Sequence, residues 1–341
     1  MPHQNPTAQY HVLLEDILDN GVHCNNRTGI DTHSVFGRVM RFNISEGKVP
    51  LLHSKKVFTK GIFHELIWML SGDTNIRYLK QHGVNIWDSW VKPGTEEYVD
   101  GELVAGELPK IYQHQWRHWV DTRVIPQTQL PEYELVGFKK IGAFEGIDGD
   151  EEAMCVVRRE IDQIQKLVDK LQTNPDDRRI ILSAWNVAEI EEMALPPCHT
   201  LLHLKPYKLG LTERQVIADE RAMPLEQVPT HRLSGLLYQR SADTCLGVPF
   251  NIVQYTLLIQ MLAHVTNMET GEFVWVGGDC HVYEDQVVTA NQQLARPIEG
   301  PYTPRIILNP KVTNIFDFTI DDITVVDYHP QSAIKYPAAA V

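Results

Sequence analysis

The 341-residue chain contains no stretch approaching the roughly 18 uncharged apolar residues that a membrane-crossing helix requires, so none is expected. Met1–Tyr10 is polar and lacks the basic-then-apolar pattern of an export signal; a cytoplasmic protein is the expectation. Cysteines are few, odd in number and scattered (Cys24, Cys155, Cys198, Cys245 and Cys280). With no C-x-x-C pair they argue for a reducing compartment and against a disulfide framework. Positive charge is in deficit: 31 Lys and Arg stand against 44 Asp and Glu, a formal net charge of -13, and a field of that sign repels nucleic acid. A small anionic substrate is still admissible where a few arginines cluster. Neither G-x-x-x-x-G-K-S/T nor G-x-G-x-x-G occurs, so phosphate loops of those types are unsupported. There is no internal repeat and no low-complexity tract.

What is present is enough apolar residue, 43%, to bury a large core. Helical spacing predicts helices over Ala8–Asn20, Phe58–Leu70, Glu151–Thr173 (stripe Ile161, Ile164, Val168, Leu171) and Asn251–His264. Strand patterns fall at Ser34–Phe42, Pro50–His53, Ile180–Trp185, Thr200–Leu204, Gly235–Gln239, Glu272–Val276 and Arg305–Leu308. Trp87–Trp119 reads as aromatic-rich and irregular. Polar, Gly- and Pro-containing stretches near 124–152 and 206–231 read as surface insertions. Strands and helices that do not strictly alternate predict an α+β fold, one sheet-centred domain over 1–341.

Several residues carry two readings each. In Leu195-Pro196-Pro197-Cys198-His199 two prolines fix the backbone and remove two amide donors. Cys198 is then either a structural cysteine in a Pro-rich turn or an oriented nucleophile whose pKa nearby cations lower. Arg178-Arg179 before one strand, Gln239-Arg240-Ser241 at the end of another and Arg27 after a polar turn are either solvated surface or a phosphate clamp, since guanidinium forks match phosphate oxygens. Asn251 is either a helix N-cap or an amide reading both a donor and an acceptor on a heterocycle edge. Glu65, among Ile62, Phe63, Leu66 and Trp68, either snorkels to water or is desolvated, with a raised pKa suited to proton transfer. His281 and Tyr283 share one side of an extended segment, either solvated or gripping a sugar hydroxyl. The dipeptides Cys198-His199 and Cys280-His281, with His114 and His118, lack the paired short spacing of structural zinc sites, so no metal is expected.

Taken in order, these pieces resemble the thymidylate synthase family. The resemblance runs through Asn26-Arg27-Thr28-Gly29, His64-Glu65-Leu66-Ile67-Trp68, Gly72-Asp73-Thr74-Asn75-Ile76, Ile86-Trp87-Asp88-Ser89-Trp90, Gln115-Trp116-Arg117 and Asp177-Arg178-Arg179-Ile180-Ile181. It continues through Ser183-Ala184-Trp185-Asn186, residues 194–199, 237–243, 246–252 and 278–283, and the terminal stretch from Ile334-Lys335 through Pro337 to Val341. Each piece alone is weak; the ordered set is specific and covers all but the two expected insertions. The resemblance implies a single domain with a central mixed sheet flanked by helices, and a sheet-to-sheet homodimer. It implies a transferase that methylates dUMP to dTMP with 5,10-methylenetetrahydrofolate, the Cys198 thiolate adding to C6. By position it implies phosphate contacts from Arg27, Arg240 and Ser241, with Arg178 and Arg179 donated by the other subunit. Gln239 would contact dUMP, Asn251 would read O4 and N3 of its uracil, and His281 and Tyr283 would hold the sugar. Glu65 with His199 would relay protons and Tyr112 would face the C5 proton. Asp243, Ile86, Trp87 and Trp90 would lie on the folate side, and Val341 would close over the ligands.

The chain departs from the family pattern at Tyr112-Gln113-His114, where Tyr-Gly is usual, at Glu284-Asp285-Gln286, where Asn-His is usual, and at Leu202-His203-Leu204-Lys205, which replaces a more aromatic stretch. These departures keep an alternative open: a deoxyuridylate hydroxymethylase, in which water rather than hydride quenches the C5 methylene. Asn251 argues for uracil over cytosine in either case. A non-catalytic nucleotide-binding protein and a metal-dependent hydrolase are the readings from other classes; retention of Cys198, Glu65 and the arginines together argues against the first.

Overall fold

The computed structural model of the protein describes residues 5–144, 153–298 and 303–337. Helix α1 (Pro6–Asn20) starts where Asn5 accepts a hydrogen bond from the Thr7 amide and Pro6 takes a position that needs no donor. It buries Tyr10, Leu13, Leu14 and Ile17 along one stripe. The chain then forms the short edge strand β1 (Val22–Cys24) and the long strand β2 (Thr32–Asn43). Helix α2 (Thr59–Ser71) is buried on most of its surface, as its unbroken apolar sequence predicts. It ends on Gly72, whose φ of 77° only glycine adopts without strain.

Pro50–His53, expected as a strand, is not one. Pro50 has no amide to give a ladder, and the Leu51 amide turns back to the Val49 carbonyl at 2.8 Å. The aromatic stretch after Trp87 resolves into helix α3 (Arg77–Gln81) before it, then the hairpin β3 (Glu97–Val99) and β4 (Glu102–Ala105), and helix α4 (Tyr112–Arg117). The region expected as an irregular excursion instead builds an antiparallel sheet of its own. Strands β5 (Trp119–Pro126), β6 (Lys139–Phe144) and β7 (Met154–Ile161) lie in the order β5-β7-β6, with helix α5 (Leu130–Leu135) beside them. Ile125, Phe138, Cys155 and Val157 form its separate small core. The helix expected over Glu151–Thr173 is therefore two elements. Burial of Cys155 and Val157 has period two, so Ile161 belongs to β7. Helix α6 (Gln163–Thr173) begins after Asp162, which accepts from the Gln165 amide. Residues 145–152 lie outside the described part.

The main sheet has six strands in the order β1-β2-β11-β10-β9-β8: β8 is Ile181–Ser183, β9 His199–Lys208, β10 His231–Asp243 and β11 Glu269–Tyr283. Only β10 and β11 are parallel, so the sheet is mixed as expected. Between β9 and β10, helix α7 (Leu211–Arg221) folds over Leu209, Ile217, Ala218 and Val228. Helix α8 (Gly247–Val265) joins β10 to β11 and is buried nearly all round. Contrary to expectation, α8 is long and apolar enough to cross a membrane by length and composition; here it is the central core helix. Helix α9 (Val287–Leu294) and the hairpin β12 (Arg305–Leu308) with β13 (Ile323–Val326) complete the described fold.

One face of the main sheet packs on α8 and α1. On β10, Leu233, Gly235, Leu237 and Gln239 point inward, and Gly235 leaves the space that Ile259 of α8 fills. The other face shows Leu236 and Tyr238 from β10, Phe36 and Val39 from β2, and Ile181 from β8, with Phe36 79% exposed. Replacing Leu237, fully buried in the central strand, by alanine should cost about 2–5 kcal/mol of folding free energy in urea titration at unchanged slope.

Candidate active site

Cys198 sits immediately before β9, at the end of the Pro196-Pro197 turn. Its amide donates to the Tyr112 hydroxyl at 2.7 Å. The neighbouring strand locks that turn from below. The Arg240 amide donates to the Cys198 carbonyl at 2.6 Å, and its guanidinium donates to the Pro197 and Pro196 carbonyls at 3.2 Å each. The two prolines thus leave free carbonyls that the arginine uses. Arg240 and a bond from Ser241 both pull the Cys198 pKa down, but burial outweighs them and the thiol stays above its ordinary value. The expectation that cations would depress it is met in cause and not in sum: the free site holds a thiol.

His199 is buried, its Nδ1 2.7 Å from the Tyr255 hydroxyl, and its ring stacks on Tyr112 at 3.9 Å between centroids. Burial lowers its pKa to about 3, so it is a neutral imidazole. Burial also raises Tyr112. Glu65, on α2, is buried and does not snorkel. Its two oxygens accept from Trp87 Nε1 at 2.8 Å and Gln254 Nε2 at 2.7 Å. Desolvation raises its pKa to about 7 against these two opposing bonds.

Asn251 is not an N-cap, because α8 begins four residues earlier, at Gly247. Its Oδ1 accepts from Gln239 Nε2 at 3.0 Å, and Gln239 Oε1 in turn accepts from Trp275 at 2.9 Å. This leaves the Asn251 amide nitrogen free of hydrogen bonds among the described residues. Asp243 ends β10 and accepts from the Cys245 and Leu246 amides, both at 3.0 Å. That turn is held from behind: Tyr10 donates to the Thr244 carbonyl at 3.0 Å and buried Lys55 to the Cys245 carbonyl at 2.5 Å. The parallel register sets Asp243 opposite His281, and Tyr283 meets the His281 ring edge-on at 5.3 Å.

A cavity of about 560 Å³ opens beside the Cys198 turn, its walls including Arg27, Trp90, Lys92, Met193, Leu195 and Pro196. The side chains of Arg27 and Lys92 carry no hydrogen bond or ion pair among the described residues. Trp90 packs edge-on against Trp87 at 5.6 Å, and Ile86 beside them is part-exposed. Glu192 is also in the wall, paired with Lys110 at 2.6 Å, so Trp90 with the two free cations can meet a flat aromatic group that carries negative charge.

Arg178 and Arg179 are the residues the chain does not bring in. They precede β8 at the sheet edge, where the Ile180 carbonyl accepts from the Leu204 amide. Six strand residues separate Leu204 from Cys198, roughly 20 Å. Arg179 pairs with Asp177 at 3.0 Å and its side chain is 84% exposed. Val341 lies outside the described residues. Tyr255 and Gln254 were missed in the sequence; the available signal was that Asn251, Gln254 and Tyr255 share a helix face at i, i+3 and i+4. Gln113 is fully buried, and its amide has no partner among the described residues.

A family model described as thymidylate synthase matches residues 8–340 of the chain. The thymidylate synthases of Coxiella burnetii strains Dugway 5J108-111 and RSA 493 / Nine Mile phase I are each 39% identical to it over 331 residues, covering 97% of this chain and 99% of the relative.

Glu65 gives a test that needs no substrate. Its folded pKa is above its unfolded value, so the native state binds more protons between about pH 4.5 and 7 and loses stability as pH rises through that window. The penalty above pH 7 is on the order of 3 kcal/mol. Glu65→Gln removes the titration. Its stability relative to the parent should therefore rise between pH 5 and pH 8, measured by urea unfolding; a pH-independent difference would contradict the raised pKa.

Proposed function

The chain belongs to the thymidylate synthase family, and on that footing we propose that it methylates dUMP to dTMP with 5,10-methylenetetrahydrofolate as co-substrate. The observation that carries this reading is the convergence of Cys198, Arg240, Asn251 and Glu65 on one end of the sheet, with Tyr112 and His199 between them. A phosphate beside Arg240 and Arg27 is itself an anion and does not favour the thiolate. Arg240 stays beside Cys198 as the charge that favours the thiolate, and closure of the site by substrate strengthens that interaction. Thiolate addition to C6 makes C5 electron-rich and divides one hard substitution into easier steps. Asn251 supplies its free amide nitrogen to the base edge, with Gln239 fixing its orientation. His281 and Tyr283 offer their polar atoms to the sugar. Tyr112, anchored by the Cys198 amide, stands where a C5 proton leaves, and neutral His199 holds its ring. Glu65 exchanges a proton near neutrality with the base.

When bound, the folate supplies the one-carbon unit and the hydride. Trp87, Trp90, Ile86 and Asp243 would border its ring system, and Trp87 ties that side to Glu65. The names of the relatives favour methyl over hydroxymethyl as the product. For the assembly, we read the apolar outer face of the main sheet as the surface of a sheet-to-sheet homodimer. Arg178 and Arg179, exposed at its edge and remote from Cys198 of their own chain, would then serve the partner's phosphate site. The segments 124–152 and 206–231 are read as insertions; the second has a small apolar cluster of its own, and Ile125 and Phe138 of the first pack on Cys155 and Val157 of β7.

Incubation with dUMP and methylenetetrahydrofolate should yield a nucleotide heavier by one methylene, together with dihydrofolate absorbing near 340 nm. A hydroxymethyl mass without that absorbance would assign the alternative reaction. Cys198→Ala should lower turnover by at least about a thousandfold. Mixing inactive Cys198→Ala with inactive Arg179→Glu after joint refolding should restore activity, because one site of each hybrid then has both residues. No restoration would rule out the shared site.

A further inference from the structure

We propose that Gln254 is a positioning residue for Glu65, holding its carboxylate in one orientation and matching it in both protonation states. The proposal rests on the reading of Glu65 as the proton-exchanging group. Gln254 lies in the middle of α8, 1% exposed, on a helix whose buried side chains are mostly apolar. A buried amide there is costly unless its groups are matched. Its nitrogen meets Glu65 Oε2 at 2.7 Å and Met69 Sδ at 3.7 Å, while its oxygen has no partner among the described residues.

The two donors to Glu65 differ in kind. Trp87 Nε1 only donates, so it favours the carboxylate anion alone. The Gln254 amide has both a donor and an unengaged acceptor. It donates to the anion as found, and after rotation of its terminal group the oxygen accepts from the protonated acid. The carboxyl therefore gains or loses a proton without leaving either state unbonded, and without any side chain moving along its length. Apolar Leu, Val or Met at this position would hold neither state.

The surroundings leave this role to Gln254. On the elements packed against α2, Tyr255 of α8 and Tyr112 of α4 are both raised by burial and stay neutral. His64 on α2 itself is lowered to about 4 and His199 to about 3, so both are uncharged near neutrality. Lys80 and Asp88 neutralise one another at 2.6 Å, Arg77 pairs with Glu97 at 2.6 Å, and Arg117 pairs with Asp162 at 2.9 Å. Asp322 is engaged by Thr319 and Asn309, and Asp317 and Asp321 lie on exposed turns. The groups that bond Glu65 are Trp87 and Gln254.

The test is titration of the Glu65 carboxyl by carbon-13 resonance in the full protein, with Glu65→Gln assigning the signal. Gln254→Met keeps an unbranched side chain of similar volume and removes the amide. The Glu65 midpoint should rise by about one pH unit, a tenfold tighter proton, because of the two bonds Gln254 can make the one to the anion is charge-assisted and stronger. The pH profile of kcat/KM should move up with it, while KM for dUMP stays within about twofold. An unmoved midpoint in a folded variant overturns the proposal. So does a parent midpoint at the ordinary glutamate value, a result that does not depend on the variant folding. If the parent makes no dTMP, the functional reading fails instead, and the carboxyl titration still reports on Gln254 and Glu65 alone.

Discussion

Two strands that run side by side in the same direction need a connection that returns to the starting edge, and in this protein helix α8 is that connection. It leaves β10 through the turn at Asp243, crosses the sheet and delivers the chain to β11. The parallel pairing then places the ends of both strands together, so that Asp243 faces His281 and Ser241 faces Asp279. The helix is buried nearly all round, and three polar side chains on one of its faces turn into the site, while Gln260 and Thr256 bond to backbone carbonyls elsewhere. Asn251, Gln254 and Tyr255 reach Gln239, Glu65 and His199 in turn. One crossover thus assembles groups contributed by α2, β9, β10 and β11.

The electrostatics of the site are set by burial more than by charge. Desolvation raises Cys198, Glu65 and Tyr112 against smaller opposing contributions, and it alone lowers His199. In a site poised in this way His199 and Tyr112 are uncharged near neutrality, and Glu65 changes charge at about pH 7. The site carries its cations, Arg240 and Arg27, at the margin. That arrangement suits a dianionic substrate in a chain of net charge -13, because local arginines decide the potential where the ligand sits. The turn at 243–246 shows how firmly the margin is built: Tyr10 and Lys55 hold its carbonyls from behind, and burial brings the Lys55 amine down to about 8.

Where the sequence was readable, the reason was periodicity or a forced backbone. The helices α1, α2 and α8 follow from apolar spacing, and the Pro-Pro-Cys turn from the rigidity of proline. Where it misled, two periods competed. Ile161 fits a helical stripe with Ile164 and Leu171, yet it continues the alternation of Cys155 and Val157 into β7, and hydrogen bonding to β5 decides between them. Pro50–His53 has strand-forming composition but no ladder, since Pro50 removes a donor. The stretch after Trp119 looked structureless because its small core, Ile125, Phe138, Cys155 and Val157, is drawn from residues far apart in the chain.

By itself the sequence determined the α+β class, the oriented cysteine, the family to which the ordered motifs belong and the residue types of the site. These depend on local spacing and on motif order, which a linear chain displays. Only the tertiary structure decided that Asn251 is an inward amide and no cap, that Glu65 is bonded at both oxygens, that Cys198 is held as a thiol by burial, and that Arg178 and Arg179 stand apart from their own Cys198. Each of these turns on a distance between residues remote in sequence, or on a balance between burial and charge. Neither quantity exists until the sheet is paired and α8 is laid across it.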